Sequence, residues 1–468
     1  MGEFDYDLVV IGSGPAGHHA AIQAAKLRKQ VMLIERKAIV GGICVNVGTI
    51  PSKTMREAVL YLSGHREHGI YGESYKVKEK ITLQDLLLRV EPVVRHEVDV
   101  MRHQLLRNGV ELVHGAAAFV DPHTVRVSFG EGRGERTVST SFVVIATGTE
   151  ATYDPQMPLD GSCVYSSDDI LHMKDIPQTL TVIGAGVIGC EYASMFAALG
   201  VRVTIVDKRP RLLPFVDAEV IEALHYHLRE KRVLLRLGEE VNRVEVSEDA
   251  KGKHVKTSLV SGKQIVSDKV LCSVGRTGAT QSLRLDAVGL TADGRGRIAV
   301  NEWFQTAVPH LYAAGDVVGF PSLASTSMEQ GRFAVCHAFG QEATHSRQHF
   351  PYGIYTIPEI SFVGKTEEEL TELNIPYETG KAPYRELPRG QIVGDSIGFV
   401  KLLFHRETRD LLGVHIIGEG AVELVHIGQV VLAMGGKVDY FVDTVFNYPT
   451  LAQCYKNAAF DGLNRLAN

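Results

Sequence analysis

Gly12-Ser13-Gly14-Pro15-Ala16-Gly17 follows the apolar run Leu8-Val9-Val10-Ile11, and the chain repeats this arrangement with Gly184-Ala185-Gly186-Val187-Ile188-Gly189 after Leu180-Thr181-Val182-Ile183. Each copy predicts a strand, a tight turn and a helix. The first glycine allows the turn, the second lets the backbone approach a pyrophosphate at the helix N-terminus, and the third permits close packing of helix against strand. The glycines in these roles are Gly12, Gly14 and Gly17 in the first copy and Gly184, Gly186 and Gly189 in the second.

An acidic residue follows each copy at the same distance. Glu35 lies 23 positions after Gly12, and Asp207 lies 23 positions after Gly184. A carboxylate at the end of the second strand of such a unit accepts hydrogen bonds from ribose hydroxyls. A single GxGxxG often serves only a tight strand–helix corner, but two copies with matched strands and acids favour two bound dinucleotides. Two dinucleotides in one chain indicate electron transfer between them.

The composition narrows the class of protein. At 468 residues the chain is long enough for two to four domains. Its net charge of −6 is spread evenly, which argues against nucleic acid and membrane surfaces as partners. No apolar run reaches the ~18 residues of a membrane span, and no signal peptide is visible. We therefore expect a soluble cytoplasmic protein.

The cysteine pattern bears on metals and on the redox compartment. The six cysteines show neither a CxxC pair nor the spacing of a zinc site. We expect free thiols in a reducing compartment and no bound metal. These cysteines are Cys44, Cys163, Cys190, Cys272, Cys336 and Cys454.

The order of apolar patterns predicts an α/β fold with two Rossmann-like dinucleotide-binding domains and a C-terminal α+β domain. The first domain is expected to be split, over residues 1–150 and 272–346, with the second over 151–271 and the third over 347–468. The Pro-containing segment 153–177 is interpreted as a linker.

Four landmarks in one order give a family resemblance. They are the first glycine motif with Glu35, the segment from Gly41-Gly42 to Pro51-Ser52-Lys53, the second glycine motif, and Tyr312-Ala313-Ala314-Gly315-Asp316. With these landmarks the chain resembles the flavoprotein disulfide reductases, such as dihydrolipoamide dehydrogenase and glutathione reductase, over nearly its full length. The resemblance implies FAD in the first domain, NAD(P)H in the second and a dimer interface in the C-terminal domain.

The resemblance also implies a set of cofactor-binding residues. They are Gly12, Gly14, Gly17, Glu35, Arg36, Gly42, Cys44, Thr49, Lys53, Thr147, Gly148, Gly315, Asp316, Gly184, Gly186, Gly189, Asp207, Lys208, Arg209, Gly275 and Tyr448. Lys53 is expected near the flavin, paired with Glu191, where a fixed cation would stabilise negative charge on the reduced flavin; these two residues are the predicted catalytic pair. An ordinary interdomain salt bridge is the alternative.

Two departures from the disulfide reductases point to a different electron acceptor. Their motif carries Cys-x4-Cys, and those positions here hold Cys44 and Thr49, so the disulfide cannot form. They also place a His before a Pro and a Glu downstream, where this chain has Tyr448 and Gln453. The redox-active cysteine pair and the histidine that would act as its general acid–base are therefore both absent from these positions.

The remaining combination looks like the soluble pyridine nucleotide transhydrogenases. This resemblance implies a Si-specific enzyme that moves hydride from NADPH to FAD and then to NAD⁺ in a reversible ping-pong reaction. It also implies a homodimer, and the sequence leaves open whether dimers assemble into higher homo-oligomers. Two alternatives stay open. One is an NAD(P)H:quinone reductase or diaphorase on the same scaffold, and the other is a nucleotide-binding subunit of a larger complex.

Several individual roles are left open by the sequence. Cys44 is either a reactive thiol or, as we favour, a small residue in a tightly packed turn. Thr49 either offers a hydroxyl to the flavin edge or fills volume. Tyr448 either donates a hydrogen bond near the flavin of the other subunit or is a buried interface residue.

Coenzyme choice is expected to depend on Asp207 and the cations after it. The carboxylate favours NAD, because it accepts from ribose hydroxyls and repels a 2′-phosphate. Lys208, Arg209 and Arg211 follow at once and can pair with that phosphate. Such a compromise suits an enzyme that accepts both coenzymes; a solvated charge run in a loop is the alternative.

Overall fold

The computed structural model describes residues 4–72, 74–130, 132–249, 252–342 and 349–466. Their strands, numbered in chain order, are β1 Tyr6–Ile11, β2 Val31–Glu35, β3 Glu111–His114, β4 Ala116–Asp121, β5 Thr124–Ser128, β6 Glu135–Ile145, β7 Thr149–Ala151, β8 Val164–Ser166, β9 Thr179–Ile183, β10 Arg202–Asp207, β11 Leu234–Leu237, β12 Val241–Asp249, β13 Gly252–Leu259, β14 Gln264–Ser267, β15 Lys269–Cys272, β16 Arg276–Gly278, β17 Leu311–Ala313, β18 Tyr352–Ile354, β19 Ile360–Gly364, β20 Tyr377–Pro383, β21 Phe399–His405 and β22 Leu411–Ile417. The α-helices are α1 Pro15–Lys26, α2 Gly42–Asn46, α3 Thr49–Ser63, α4 His68–Tyr71, α5 Leu83–Arg107, α6 Val187–Ala198, α7 Ala218–Glu230, α8 Ala324–Ala338, α9 Glu367–Glu372, α10 Pro388–Val393, α11 Ala421–Ala433, α12 Asp439–Asp443 and α13 Gln453–Leu466.

The chain divides into two compact units. Residues 1–55, 87–152 and 275–345 form unit one, and residues 56–86, 153–274 and 346–468 form unit two. Each unit contains one of the two glycine motifs. The three-domain boundaries given above stay a prediction.

Unit one is organised by a mixed sheet with the strand order β3-β2-β1-β6-β5-β4, in which β17 also pairs with β6. Strands β1 and β2 run parallel, with Val10 opposite Leu33. Alternate side chains point to opposite faces of a strand, so Val9 and Ile11 pack into one apolar cluster while Leu8 and Val10 pack into another. The apolar run before the first motif is therefore a strand covered on both faces, as parallel sheets require.

Unit two contains a parallel sheet with the order β11-β10-β9-β15-β8. The helix after its glycine motif, α6, is buried from Gly189 through Ala197. The chain between β11 and β15 forms a separate three-stranded antiparallel sheet, β12-β13-β14. Strand, glycine turn, helix and second strand thus recur in the order that the repeated motif predicts.

The interpretation of residues 153–177 as a linker was wrong. Val164–Ser166 forms strand β8, which pairs in parallel with β15, and all three residues are buried. The Asp160 carboxylate holds the preceding turn, because Oδ1 accepts hydrogen bonds from the backbone amides of Ser162, Cys163 and Val164 at 2.7–2.9 Å. A three-residue strand is too short to show the alternation that identifies strands in a sequence.

The C-terminal part of unit two is built on a five-stranded antiparallel sheet with the order β18-β19-β22-β21-β20. Its core cluster includes Val414 and Ile416 of β22 together with Tyr455 and Ala458 of α13. The predicted fold class, α/β with two Rossmann-like domains and a C-terminal α+β domain, is confirmed. No helix in the described part of the chain combines the length and the apolar character that crossing a membrane requires.

Candidate functional site

The first glycine motif forms a close turn between β1 and α1. Gly12 has φ +105°, and a Cβ there would lie 2.4 Å from the Ala146 carbonyl oxygen. A Cβ on Gly17 would lie 1.8 Å from the Gly12 carbonyl oxygen. Gly42, at φ +58°, approaches Gly14 so closely that its Cβ would lie 2.8 Å from the Gly14 Cα. Only glycine fits at these contacts, so the backbone at the N-terminus of α1 stays accessible to an anion.

Glu35 closes this turn from the end of β2. Its Oε2 accepts hydrogen bonds from the Ser13 amide at 2.9 Å and the Ser13 hydroxyl at 2.6 Å, and Oε1 accepts from the Lys37 amide at 2.9 Å. The side chain is buried. The neighbouring Arg36 forms an ion pair with Glu150 instead. Glu35 is thus held by neutral donors.

A second group of predicted residues surrounds the ends of β6 and β17. Asp316 follows Gly315, whose amide donates to Gln330 Oε1 at 2.7 Å. Burial raises the pKa of the Asp316 carboxyl, against the opposing influence of Arg276 and a hydrogen bond with Thr149. Thr147 precedes Gly148, and the Thr147 hydroxyl is a buried group without a hydrogen-bond partner among the described residues. A buried hydroxyl left unpaired fits a site completed by a bound ligand.

Arg276 and Thr149 were missed by the sequence analysis. Arg276 Nε donates to the Thr149 hydroxyl at 2.9 Å, and Nη2 donates to its carbonyl at 3.0 Å. The two residues lie on the antiparallel pair β7 and β16. The signal for Arg276 in the sequence is its place directly after Gly275, one of the predicted cofactor-binding glycines. Gly275 itself has φ +135°, and its carbonyl accepts from the Thr152 amide at 3.1 Å.

Cys44 and Thr49 lie next to each other although they are in different helices. Cys44 is in α2, Thr49 begins α3, and their side chains share a hydrogen bond. Burial raises the pKa of the Cys44 thiol, and this hydrogen bond only partly offsets the effect. All six cysteines are free. A thiol with a raised pKa stays protonated at neutral pH, which is the unreactive form.

The second glycine motif repeats the geometry of the first. Gly184 has φ +107°, and its Cβ would lie 2.4 Å from the Ser273 carbonyl oxygen. A Cβ on Gly189 would lie 1.9 Å from the Gly184 carbonyl oxygen. A Cβ on Gly186 would meet nothing within 4 Å, so open space faces the backbone at the start of α6. This cradle fits a dinucleotide pyrophosphate.

Asp207 ends β10 and, unlike Glu35, is paired with a cation. Its Oδ2 accepts from the Ala185 amide at 2.6 Å, the contact that matches Glu35 and Ser13. The Arg209 guanidinium donates to both carboxylate oxygens, at 2.9 Å and 2.6 Å. Burial tends to raise the pKa of Asp207, but the hydrogen bonds from Arg209 and Ala185 outweigh it and lower the pKa.

The other two cations of this turn are placed elsewhere. Lys208 is exposed and lies 3.7 Å from Glu240. Arg211 donates to the Val216 carbonyl at 3.1 Å and pairs with Glu368 at 3.2 Å. Arg209 and Arg211 therefore both have protein partners and are not part of a wholly solvated run of charges.

The predicted catalytic pair falls in different units. Lys53 is in the first turn of α3 and belongs to unit one, whereas Glu191, in α6, belongs to unit two. Glu191 is buried, and its Oε1 accepts a hydrogen bond from the Tyr355 amide at 2.9 Å. Their ion pair stays a prediction.

Tyr448 lies at the surface of this chain, with 68% of its area exposed. Val445 and Met434 in the same C-terminal region are also exposed, at 91% and 81%. Gln453 begins α13, and its Oε1 is buried without a hydrogen-bond partner in the described ranges. Exposed apolar side chains of this size fit a surface that another protein subunit covers.

The family model for pyridine nucleotide-disulphide oxidoreductases matches residues 6–331, and that for the family's dimerisation domain matches residues 350–459. The chain belongs to this family. A protein named soluble pyridine nucleotide transhydrogenase from Mycobacterium bovis (strain BCG / Pasteur 1173P2) is 54% identical over 99% of this chain and 98% of its own length. A protein of the same name from Colwellia psychrerythraea is 46% identical over 99% of each chain. The resemblance drawn from the motifs, including the transhydrogenase group, is confirmed.

Solved structures show the same architecture. LpdA from Mycobacterium tuberculosis superposes with a TM-score of 0.88 at 27% identity, over 97% of this chain and 99% of LpdA. The HOCl-induced flavoprotein disulfide reductase RclA from Escherichia coli superposes with a TM-score of 0.85 at 27% identity, over 97% of this chain and 99% of RclA. This chain thus has the fold of the disulfide reductases, although Thr49 stands where they have the second cysteine.

Proposed function

We propose that this chain is a transhydrogenase that moves hydride between NADPH and NAD⁺ with FAD as its bound cofactor. The observation that carries the proposal is the presence of two dinucleotide cradles in one chain, in which Thr49 stands where disulfide reductases carry the cysteine that would pair with Cys44. The relatives that are 42–54% identical over the full chain bear the name of this activity.

In this proposal FAD is held by unit one. The N-terminus of α1 and its glycines bind the pyrophosphate, Glu35 accepts from the ribose, and Gly42, Thr147, Gly148, Gly315 and Asp316 form the rest of the site, with Arg276 and Thr149 fixing Asp316. When bound, FAD would supply the two-electron chemistry. The unpaired Thr147 hydroxyl and the close approach of Gly42 to Gly14, where a side chain would not fit, are the features of this structure that fit the cofactor.

The second glycine motif and the C-terminal domain have separate roles in this proposal. The second cradle takes NADPH, NADP⁺, NADH and NAD⁺ in turn, with Gly186 at the pyrophosphate and Asp207 at the adenosine ribose. Lys53, held by Glu191, places a fixed positive charge beside the flavin. The C-terminal domain joins two chains into a homodimer, in which Tyr448 lies at the interface.

Thiol chemistry has no place in this scheme. A disulfide reductase passes electrons from flavin to a cysteine pair, and here the Cys44 side chain meets a hydroxyl. Because burial also raises the pKa of the Cys44 thiol, it stays protonated and does not act as a nucleophile.

The test is an anaerobic reductive titration of the purified FAD-loaded protein together with an assay of hydride transfer from NADPH to thio-NAD⁺. We expect uptake of two electrons per FAD, no long-wavelength thiolate-to-flavin absorbance band, and turnover with thio-NAD⁺. Cys44→Ser removes the thiol, and its uptake should also be two electrons per FAD if no cysteine takes part.

Uptake of four electrons per FAD would show that another cysteine partners Cys44 and would overturn the proposal. Fast turnover with quinones and none with thio-NAD⁺ would instead favour an NAD(P)H:quinone reductase on the same scaffold.

A further inference from the structure

The Asp207 carboxylate has no free acceptor position in this structure. A carboxylate offers about four lone-pair sites on its two oxygens. Oδ1 accepts from the Arg209 amide at 2.8 Å and from Arg209 Nε at 2.9 Å. Oδ2 accepts from the Ala185 amide and from Arg209 Nη2, both at 2.6 Å. A ribose hydroxyl therefore cannot bond to Asp207 while the Arg209 side chain stays where it is.

Withdrawal of the Arg209 side chain would open two positions. One acceptor site would become free on each oxygen, while the backbone amides of Ala185 and Arg209 would still hold the carboxylate in place. The adenosine ribose of NAD(H) presents two hydroxyls, at the 2′ and 3′ positions. The number of released acceptor sites therefore matches the number of hydroxyl donors.

When the Arg209 side chain stays on Asp207, the site suits NADP(H). A guanidinium carries five N–H donors, and two of them are used on Asp207. About 43% of the Arg209 side chain is exposed, so the remaining donors can be reached from solvent. With Arg209 in place the negative charge of Asp207 is compensated, and the free N–H groups can donate to a 2′-phosphate.

The neighbouring cations do not duplicate this arrangement. Lys208 points to Glu240, and Arg211 is fixed by the Val216 carbonyl and by Glu368. Of the three cations in the turn, Arg209 is the one whose side chain contacts Asp207 in the described chain.

We propose that Arg209 is the residue that adapts a single site to both coenzymes. It stays on Asp207 and binds the 2′-phosphate when NADP(H) enters, and it withdraws to release both carboxylate oxygens when NAD(H) enters. This inference rests on the proposed function and names the side chain that allows one site to serve two substrates.

The experiment measures binding of two fragments that differ by the 2′-phosphate, adenosine 2′,5′-bisphosphate and AMP, to the FAD-loaded protein by calorimetry. Arg209→Ala should weaken the bisphosphate by about tenfold to hundredfold, the range for charged hydrogen bonds. It should strengthen AMP binding, since no side chain then competes with the ribose hydroxyls for Asp207. Arg209→Lys should fall between, because an ammonium lacks the planar fork.

Two further variants make the result specific. Arg243→Ala removes an exposed arginine that pairs with Glu245 on β12, and both fragments should bind to it as to the parent. In an Asp207→Asn background, Arg209→Ala should no longer strengthen AMP binding, because the two residues act as a contacting pair.

An unchanged ratio of the two affinities in Arg209→Ala would overturn the proposal, and so would AMP binding that is no stronger than in the parent. The fragments report on the site without any turnover. A parent protein that binds both fragments but moves no hydride from NADPH to thio-NAD⁺ would therefore count against the proposed function alone, and the affinity ratio would still decide the role of Arg209.

Discussion

Glu35 and Asp207 occupy the same position in two copies of one motif, and their surroundings differ. Both accept a hydrogen bond from the backbone amide after the first glycine, Ser13 in one unit and Ala185 in the other. Both also accept from the backbone amide two residues further on, Lys37 or Arg209. Glu35 is completed by the Ser13 hydroxyl, whereas Asp207 is completed by the Arg209 guanidinium.

The difference follows from what each site is proposed to hold. FAD stays bound and always presents the same ribose, so a carboxylate fixed by neutral donors suffices. A site that exchanges NADPH for NAD⁺ meets both a phosphate and a hydroxyl at one position, and the proposed withdrawal of Arg209 would accommodate each in turn. Under this proposal the shared backbone binds a dinucleotide in each unit, and Arg209 allows the second site to accept both coenzymes.

The largest effects are expected from the third glycine of each motif. Gly17→Ala places a Cβ 1.8 Å from a backbone oxygen, and Gly189→Ala does so at 1.9 Å. Overpacking against rigid backbone should cost about 3 kcal/mol or more. Gly17→Ala should lose FAD, and Gly189→Ala should keep FAD but resist reduction by NADPH; flavin absorbance and thermal unfolding check both.

Gly186→Ala serves as the control for folding, since a Cβ there meets nothing within 4 Å. Its thermal midpoint should match that of the parent. If Gly17→Ala retained its flavin and its midpoint, close helix–strand packing would not be what the motif requires, and the equivalence of the two units would fail.

Intermediate effects are expected from the two carboxylates. Glu35→Gln replaces an acceptor of three hydrogen bonds and should weaken FAD binding by about 1.5–3 kcal/mol, with little change in coenzyme preference. Asp207→Asn should leave FAD bound and raise the ratio of kcat/KM for NADPH over NADH by about 1–2 kcal/mol, because a neutral carboxamide accepts the ribose hydroxyls of NADH less well than a carboxylate does. Flavin dissociation constants and steady-state kinetics measure the two effects.

A change of coenzyme ratio in Glu35→Gln, or of flavin affinity in Asp207→Asn, would show that the two units are coupled rather than separate. Salt gives a further check on Asp207→Asn. The shift should persist when ionic strength rises, because the carboxylate is buried and is screened less than surface charges are.

The smallest effect is expected from a residue outside both motifs. Tyr448→Phe removes only a hydroxyl from an exposed side chain, and hydride transfer needs no proton donor there. The rate of NADPH-to-thio-NAD⁺ transfer should stay within about tenfold of the parent, since acid–base catalysis contributes about 10²–10⁴. A loss beyond a hundredfold in a dimer that still holds FAD would assign Tyr448 a proton-transfer role.

The two strand–turn–helix motifs and the glycines of their turns could be predicted from the sequence alone. The glycine spacing, the apolar runs and the carboxylates at position 23 are local features, because φ angles and strand–helix corners depend on residues close in the chain. The replacement of the second cysteine by Thr49 was equally visible, and the family comparison confirmed the group to which that change points.

The partners of the charged side chains, in contrast, depend on contacts between residues far apart in the chain. The sequence does not distinguish the three cations after Asp207. In the structure Arg211 pairs with Glu368, 157 residues away, and only Arg209 of the three contacts Asp207 among the described residues. Likewise Arg276 reaches Thr149 across 127 residues, and β8 joins a sheet from within a segment interpreted as a linker. Partners this distant along the chain meet only when strands pair and helices pack, so no pattern in the neighbouring sequence reveals them.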